Sequence, residues 1–168
     1  MKNIVLIGMP GSGKSTCGVL AAKAMCMDFT DTDLLIQSAE KCTLQQTINE
    51  KGNGYFAAAE EAALLACNYD NTLIATGGSA VYSEKGMLHL KEKGTVIYLK
   101  VSLDEMTSRI KNIRTRGIVL KEGETLEDMF HRREKLYEKY ADYIIDCTGS
   151  TVEQTVEKIC SIKTEQKA

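Results

Sequence analysis

The sequence has no surplus of charge of either sign: 21 Lys and Arg stand against 23 Asp and Glu, a formal net charge of −2. Without a basic footprint, no nucleic-acid partner is expected. No apolar run approaches the ~20 residues needed to cross a bilayer, and the N-terminus lacks the apolar core of a signal peptide. No membrane partner is expected either. The two histidines are few, and the six cysteines (17, 26, 42, 67, 147 and 160) include no C-x-x-C pair. That scatter argues against a metal cluster and a disulfide framework, and it fits a reducing, cytoplasmic setting. Most of these cysteines are expected to be small buried apolar residues. Proline is nearly absent, and the single one, Pro10, leaves the helices uninterrupted.

What is present suits one domain over residues 1–168, acting as a monomer, because a chain 43% hydrophobic at this length can bury a sizeable core. Strand-like runs lie at 4–7, 73–76, 95–99 and 143–146, with a weaker one at 28–30. Helical patterns separate them, which is the βαβ signature of a parallel sheet covered on both faces. Capping boxes are expected at Thr43 with Gln46, Ser102 with Glu105 and Ser150 with Glu153. The run Gly52-Asn53-Gly54 reads as a turn between two helical stretches, and residues 163–168 as a polar tail.

The strongest motif is Gly8-Met-Pro-Gly11-Ser12-Gly13-Lys14-Ser15-Thr16, directly after the first strand. It meets G-x-x-x-x-G-K-[ST] at every fixed position. Its glycines let successive N–H groups converge on a phosphate, and the helix expected over 15–27 adds its N-terminal dipole. Lys14 brings positive charge to the β- and γ-phosphates, and Ser15 offers a hydroxyl to Mg²⁺. ATP and Mg²⁺ are the cofactors this implies. No N-K-x-D guanine-reading motif accompanies it.

In a doubly wound sheet, ligands gather at the carboxyl ends of the strands. That edge should also carry Asp31-Thr-Asp33 and Thr76-Gly77-Gly78-Ser79. One aspartate can hold a water on Mg²⁺ while the other orients an acceptor hydroxyl and takes its proton. The same pair also fits helix capping. Two adjacent glycines let a ligand approach the backbone, or simply make a turn. Residues 112–124 are basic at their start, contain two glycines and have no clear period. A long connection beside a phosphate loop suits a lid that excludes water, although a solvated loop fits the same composition. The helix expected over 125–140 carries Arg132 and Arg133, about 100° apart, so at most one is expected to face the site.

Together these residues resemble the shikimate kinase family of small-molecule kinases, over nearly the whole chain. The resemblance implies an α/β fold: three layers in the P-loop kinase arrangement, with a five-stranded parallel sheet flanked by helices and a lid. It implies transfer of the γ-phosphoryl group of ATP to a small hydroxylated acceptor, shikimate first among them, in aromatic amino acid biosynthesis. Gly11, Ser12, Gly13, Lys14, Ser15 and Thr16 would hold the phosphates. Ser15 would ligate Mg²⁺ directly and Asp31 through water. Asp33 would touch the acceptor as base, with Gly77, Gly78 and Ser79 beside it. Arg109 would lie by the adenine, Arg116 on the transferring phosphates, and Arg133 on the acceptor carboxylate.

The chain departs from the family in the acceptor pocket. Where the family reads G-E-x-x-F-R-x-x-E, this chain has Gly52-Asn-Gly-Tyr-Phe56-Ala57-Ala-Ala-Glu60, so Ala57 stands in place of a second carboxylate-binding arginine. Ser79 replaces the last of three glycines, and the lid motif R-P-L-L becomes Arg116-Gly117-Ile118-Val119. Losing one partner of a desolvated charge pair costs about 2–5 kcal/mol, or roughly thirty- to several-thousand-fold in binding. Glu60, one turn after Ala57, loses an arginine neighbour. A free carboxylate there, with Arg133 kept, would also suit a hydroxy amino acid acceptor. A different hydroxyl acceptor therefore stays open, as does a non-catalytic ATP-binding module. Nucleoside monophosphate kinases share the architecture as well.

Overall fold

The computed structural model describes residues 2–111 and 118–165. Five strands form one sheet: β1 (Asn3–Ile7), β2 (Asp28–Asp31), β3 (Thr72–Ala75), β4 (Gly94–Lys100) and β5 (Tyr143–Asp146). Their order is β2-β3-β1-β4-β5, and every pairing is parallel. β1 is buried at all five residues and β4 at all but its last, which requires helices over both faces. The edge strand β2 is half exposed and carries Asp28 and Thr30, which is why its sequence signal is weak.

The helices are α1 (Lys14–Ala24), α2 (Thr32–Glu40), α3 (Leu44–Leu65), α4 (Glu84–Lys93), α5 (Leu103–Lys111), α6 (Leu126–Tyr140) and α7 (Val152–Glu165). α1 packs with α7, α2 with α3, and α3 with α4. The main core runs through the sheet, and a smaller cluster of Ile36, Leu44 and Phe56 lies between α2 and α3.

Local chemistry corrects several expected boundaries. α1 stops at Ala24 rather than residue 27, because Cys26 takes a positive φ of 54° and turns the chain into β2. Thr43 and Gln46 form the expected box. Ser102 caps Glu105 N–H at 3.2 Å, but the Glu105 carboxylate goes to Arg109 and to Gly149 N–H instead of closing the box. The last box sits one residue later than expected, between Thr151 and Gln154. Thr125 and Asp128 form a further box that opens α6. Gly52 alone breaks α3, at φ 81° and ψ 168°, while Asn53 and Gly54 remain helical. α7 continues through Glu165, into the segment expected as a tail. All six cysteines are free, but only Cys17, Cys67 and Cys147 are buried; Cys26 is exposed and the other two are half-buried.

No helix among the described residues is long and apolar enough to cross a membrane.

Candidate active site

The strand register gathers the site. Leu6 of β1 and Asp31 of β2 both stand level with Ala75 of β3, so the loops leaving these three strands emerge side by side. This is the carboxyl edge of the sheet, where such folds bind ligands.

After β1 the backbone curls through Gly11 and Gly13, both at positive φ (78° and 93°), a conformation that costs glycine nothing. The loop delivers Lys14 at the start of α1. Lys14 Nζ donates to the carbonyls of Gly8 and Met9 at 2.8 Å each, and lies 3.4 Å from Ser12 Oγ. The ammonium is therefore tied across the loop, with Ser12 buried beneath it. Ser15 Oγ donates to Asp31 Oδ2 at 2.5 Å, which joins the first turn of α1 to the end of β2. Thr16 is exposed on that turn. Arg109, from α5, donates to the carbonyl of Gly11 at 2.9 Å and pairs with Glu105. A Cβ at Gly11 would lie 3.3 Å from Arg109 Cβ, so the arginine covers the phosphate loop closely.

Asp31 does two jobs. Its Oδ1 accepts from Asp33 N–H at 2.9 Å and caps α2. Capping and the bond to Ser15 thus coexist on one carboxylate, and the capping reading of the pair holds for Asp31. Asp33 then lies in the first turn of α2 with its carboxylate at Gly77. A Cβ on Gly77 would meet Asp33 Oδ1 at 2.7 Å and Glu60 Oε1 at 2.5 Å, so no other residue fits between these two carboxylates. Gly78 is as tightly held: a Cβ there would lie 3.0 Å from Pro10 and 3.1 Å from an Arg133 terminal nitrogen.

Glu60 is only 4% exposed. Its Oε2 accepts from Ser79 Oγ at 2.7 Å, while Oε1 has no hydrogen-bond partner among the described residues. Burial pushes its carboxyl up to about 7; the Ser79 bond works against the rise, Asp33 adds to it, and Arg133 and Lys14 oppose it. Arg133, 1% exposed, donates from Nε to Tyr82 OH at 3.1 Å and from a terminal nitrogen to the Val119 carbonyl at 2.8 Å. Tyr137, one turn further along α6, donates to the Gly78 carbonyl at 2.6 Å.

Lys14, Ser15, Asp33, Glu60, Gly77, Gly78, Ser79 and Arg133 thus line one slot of about 20 Å³, walled by Pro10, Leu44, Phe56 and Thr76. Ala57 is not part of it. That residue is exposed and lines an adjoining cleft of about 850 Å³, with Tyr82, Arg132 and residues of 118–124. Arg116 and the rest of 112–117 lie outside the described residues. Sequence reasoning missed Tyr82 and the burial of Glu60. Nothing local marks Tyr82, which reaches the site from a single 3₁₀ turn. The position of Tyr137 one turn after Arg133 was the available signal for its role.

Among the described residues no three His, Cys, Asp or Glu side chains gather as a metal cage. Kinase Mg²⁺ does not need one, since one or two protein oxygens and the phosphates hold it, and the Ser15–Asp31 pair beside the loop fits that demand.

Known proteins resemble this chain in sequence and in fold. The family model described as shikimate kinase matches residues 10–163. A shikimate kinase of Thermodesulfovibrio yellowstonii is 36% identical over 162 residues, covering 95% of this chain and 93% of that protein. One of Clostridium botulinum is 39% identical over 144 residues, covering 83% of this chain and 84% of its own. The solved structure of Acinetobacter baumannii shikimate kinase in complex with shikimate superposes with a TM-score of 0.91 at 26% identity, covering 99% of this chain and 95% of that one.

Proposed function

The chain belongs to the shikimate kinase family, and on that premise we propose that it transfers the γ-phosphoryl group of ATP to a ring hydroxyl of shikimate, giving shikimate 3-phosphate. It is a phosphotransferase with an alcohol group as acceptor. The observation that carries the residue roles is the convergence of Lys14, Asp33, Gly77 and Arg133 on one slot next to the Ser15–Asp31 pair.

ATP supplies the phosphoryl group, and Mg²⁺ offsets the charge on its β and γ oxygens. Ser15 and Asp31 are the residues that would hold the metal, Ser15 directly and Asp31 through water. Gly11, Ser12, Gly13 and Thr16 present the loop to the phosphates, and Lys14 places its charge where negative charge develops. Arg109 packs over the loop on the adenine side. Asp33 accepts the proton of the attacking hydroxyl as the bond to phosphorus forms. The backbone at Gly77 and Gly78 lets the acceptor lie close, while Arg133 binds its carboxylate with parallel hydrogen bonds. Segment 112–124 acts as the lid, with Arg116 on the transferring phosphates. We further infer a single-domain monomer, and the six free cysteines support a reducing, cytoplasmic setting.

A second reading has one observation in its favour. The unpartnered buried oxygen of Glu60 would accept a hydrogen bond from an ammonium, as a hydroxy amino acid would supply. The test is ATP consumption with Mg²⁺, with and without shikimate, beside a panel of hydroxy acids and hydroxy amino acids. Saturable turnover on shikimate with KM in the ordinary range of about 1 μM to 1 mM is expected. Turnover on a hydroxy amino acid and none on shikimate would replace the first reading with the second. No turnover on any acceptor, with ATP still bound, would leave a binding module.

A further inference from the structure

Phosphoryl transfer as derived above makes no use of Arg132, yet this side chain is built into the rim of the acceptor site. Its guanidinium carbon lies 5.0 Å from the centre of the Tyr82 ring, and that of Arg133 lies 5.3 Å from the same centre. Two cations on consecutive residues of α6 therefore share one aromatic platform. The Tyr82 hydroxyl ties that platform to Arg133 in the slot.

Ala57 opens the space that Arg132 faces. Both residues line the 850 Å³ cleft, together with Asn53 and Gly54, the first residues of α3 beyond its break at Gly52. An arginine at position 57 would have offered its charge to Glu60, one turn along. Here Glu60 accepts from Ser79 Oγ at 2.7 Å, and its other oxygen has no partner among the described residues. Relative to the family pattern, Ala57 leaves the carboxylate-binding side with one guanidinium fewer.

Arg132 has the donors to fill that gap. A terminal nitrogen meets both oxygens of Glu124, at 2.6 and 2.7 Å. Its Nε is buried and has no partner among the described residues. Glu124 occupies one edge of the planar guanidinium, and a carboxylate entering the cleft would meet the side with which Arg132 lines the cleft wall.

Resting on the reading of a shikimate acceptor above, we propose that Arg132 supplies the second guanidinium for the acceptor's carboxylate, from α6 rather than from α3. Arg133 binds that group from inside the slot, and Arg132 closes on it from the cleft side. Glu124 holds the guanidinium in place at the end of the 118–124 segment.

The test is steady-state kinetics with MgATP on two acceptors, shikimate and its methyl ester, which keeps the ring hydroxyls and loses the carboxylate charge. Arg132→Gln is expected to raise KM for shikimate about ten- to a hundredfold, the range of a charge-assisted hydrogen bond, with KM for ATP within about twofold. The effect should vanish on the methyl ester, and Ala57→Arg in the Arg132→Gln background should restore shikimate binding. An unchanged shikimate KM, or equal losses on both acceptors, overturns the proposal and leaves Arg132 as a strut for Glu124. If Arg132→Gln does not fold, Arg132→Lys keeps the charge without the fork and is read by the same two KM values. A wild-type enzyme inert to shikimate would instead overturn the acceptor reading, a distinct result from an active enzyme indifferent to Arg132.

Discussion

Lys14 and Asp33 sit in the same slot but should fail in different ways when changed. Lys14 crosses its own loop to two carbonyls 2.8 Å away, so its charge is fixed before a phosphate arrives. Lys14→Ala removes a preorganised positive charge and is expected to lower kcat by at least 10²–10³-fold. Undiminished turnover would refute the phosphate-loop assignment. Asp33→Asn keeps the shape and removes the base. It should cost about 10²–10⁴-fold in kcat while KM for ATP changes little, and an unchanged kcat would confine Asp33 to packing against Gly77. Glu60 makes a prediction about stability. Its carboxyl is raised from an ordinary 4.5 to about 7 by burial. Between those values the unfolded chain has released a proton that the folded chain keeps, so stability falls as pH rises through that window. The contribution is complete below about 4.5, lost above about 7, and on the order of 3 kcal/mol in size. Glu60→Gln should flatten the pH dependence of the unfolding free energy between pH 5 and 8 in urea titrations. A slope matching the wild type would show that Glu60 does not titrate there.

At the scale of elements, the break in α3 positions the acceptor wall. Gly52 has φ 81° and ψ 168°, a region that is essentially glycine's alone, and an added Cβ would meet nothing within 4 Å. Gly52→Ala should therefore cost about 1–3 kcal/mol through the backbone alone. The second half of α3 carries Phe56 and Glu60 into the slot, so the acceptor KM should rise more than that for ATP. A loss of stability with both KM values unchanged would mean the break does not aim the helix. The break was legible in the sequence, because Gly-Asn-Gly inside a helical pattern has few other readings. So was every strand, since β1, β3 and β4 are short β-branched and apolar runs, whereas β2 showed only faintly because an edge strand tolerates Asp28 and Thr30. The site was legible wherever a residue type is demanded by chemistry at fixed spacing, as in the phosphate loop and Asp31-Thr-Asp33. It was not legible where partners come from distant elements. Nothing near Glu60 or Ser79 announces that they meet 19 positions apart, nor that Tyr82 bonds Arg133 across 51 positions. Those contacts follow from α3, the turn after β3 and α6 closing over the same sheet edge.

Taken whole, the molecule places its phosphate loop at the end of the central, fully buried strand of its sheet. β1 lies between β3 and β4, and its last residues lead straight into Gly8. That loop is joined to α1 through Lys14 and Ser15, to β2 through the Ser15–Asp31 bond and to α5 through the bond from Arg109 to Gly11. Nucleotide binding should therefore raise the stability of the entire chain rather than of one lobe. At a hundred times its Kd, a ligand that binds only the folded state adds about 2.7 kcal/mol. For a chain of this length each kcal/mol moves Tm by about 2–4 °C, so MgADP should shift a single calorimetric transition upward by roughly 5–10 °C. In Lys14→Ala the same nucleotide should give little shift, because the loop has lost the charge that holds the phosphates. Two resolved transitions, with only one responding to nucleotide, would overturn the single-domain reading. One transition that ignores MgADP would instead place the nucleotide elsewhere than the loop at the end of β1.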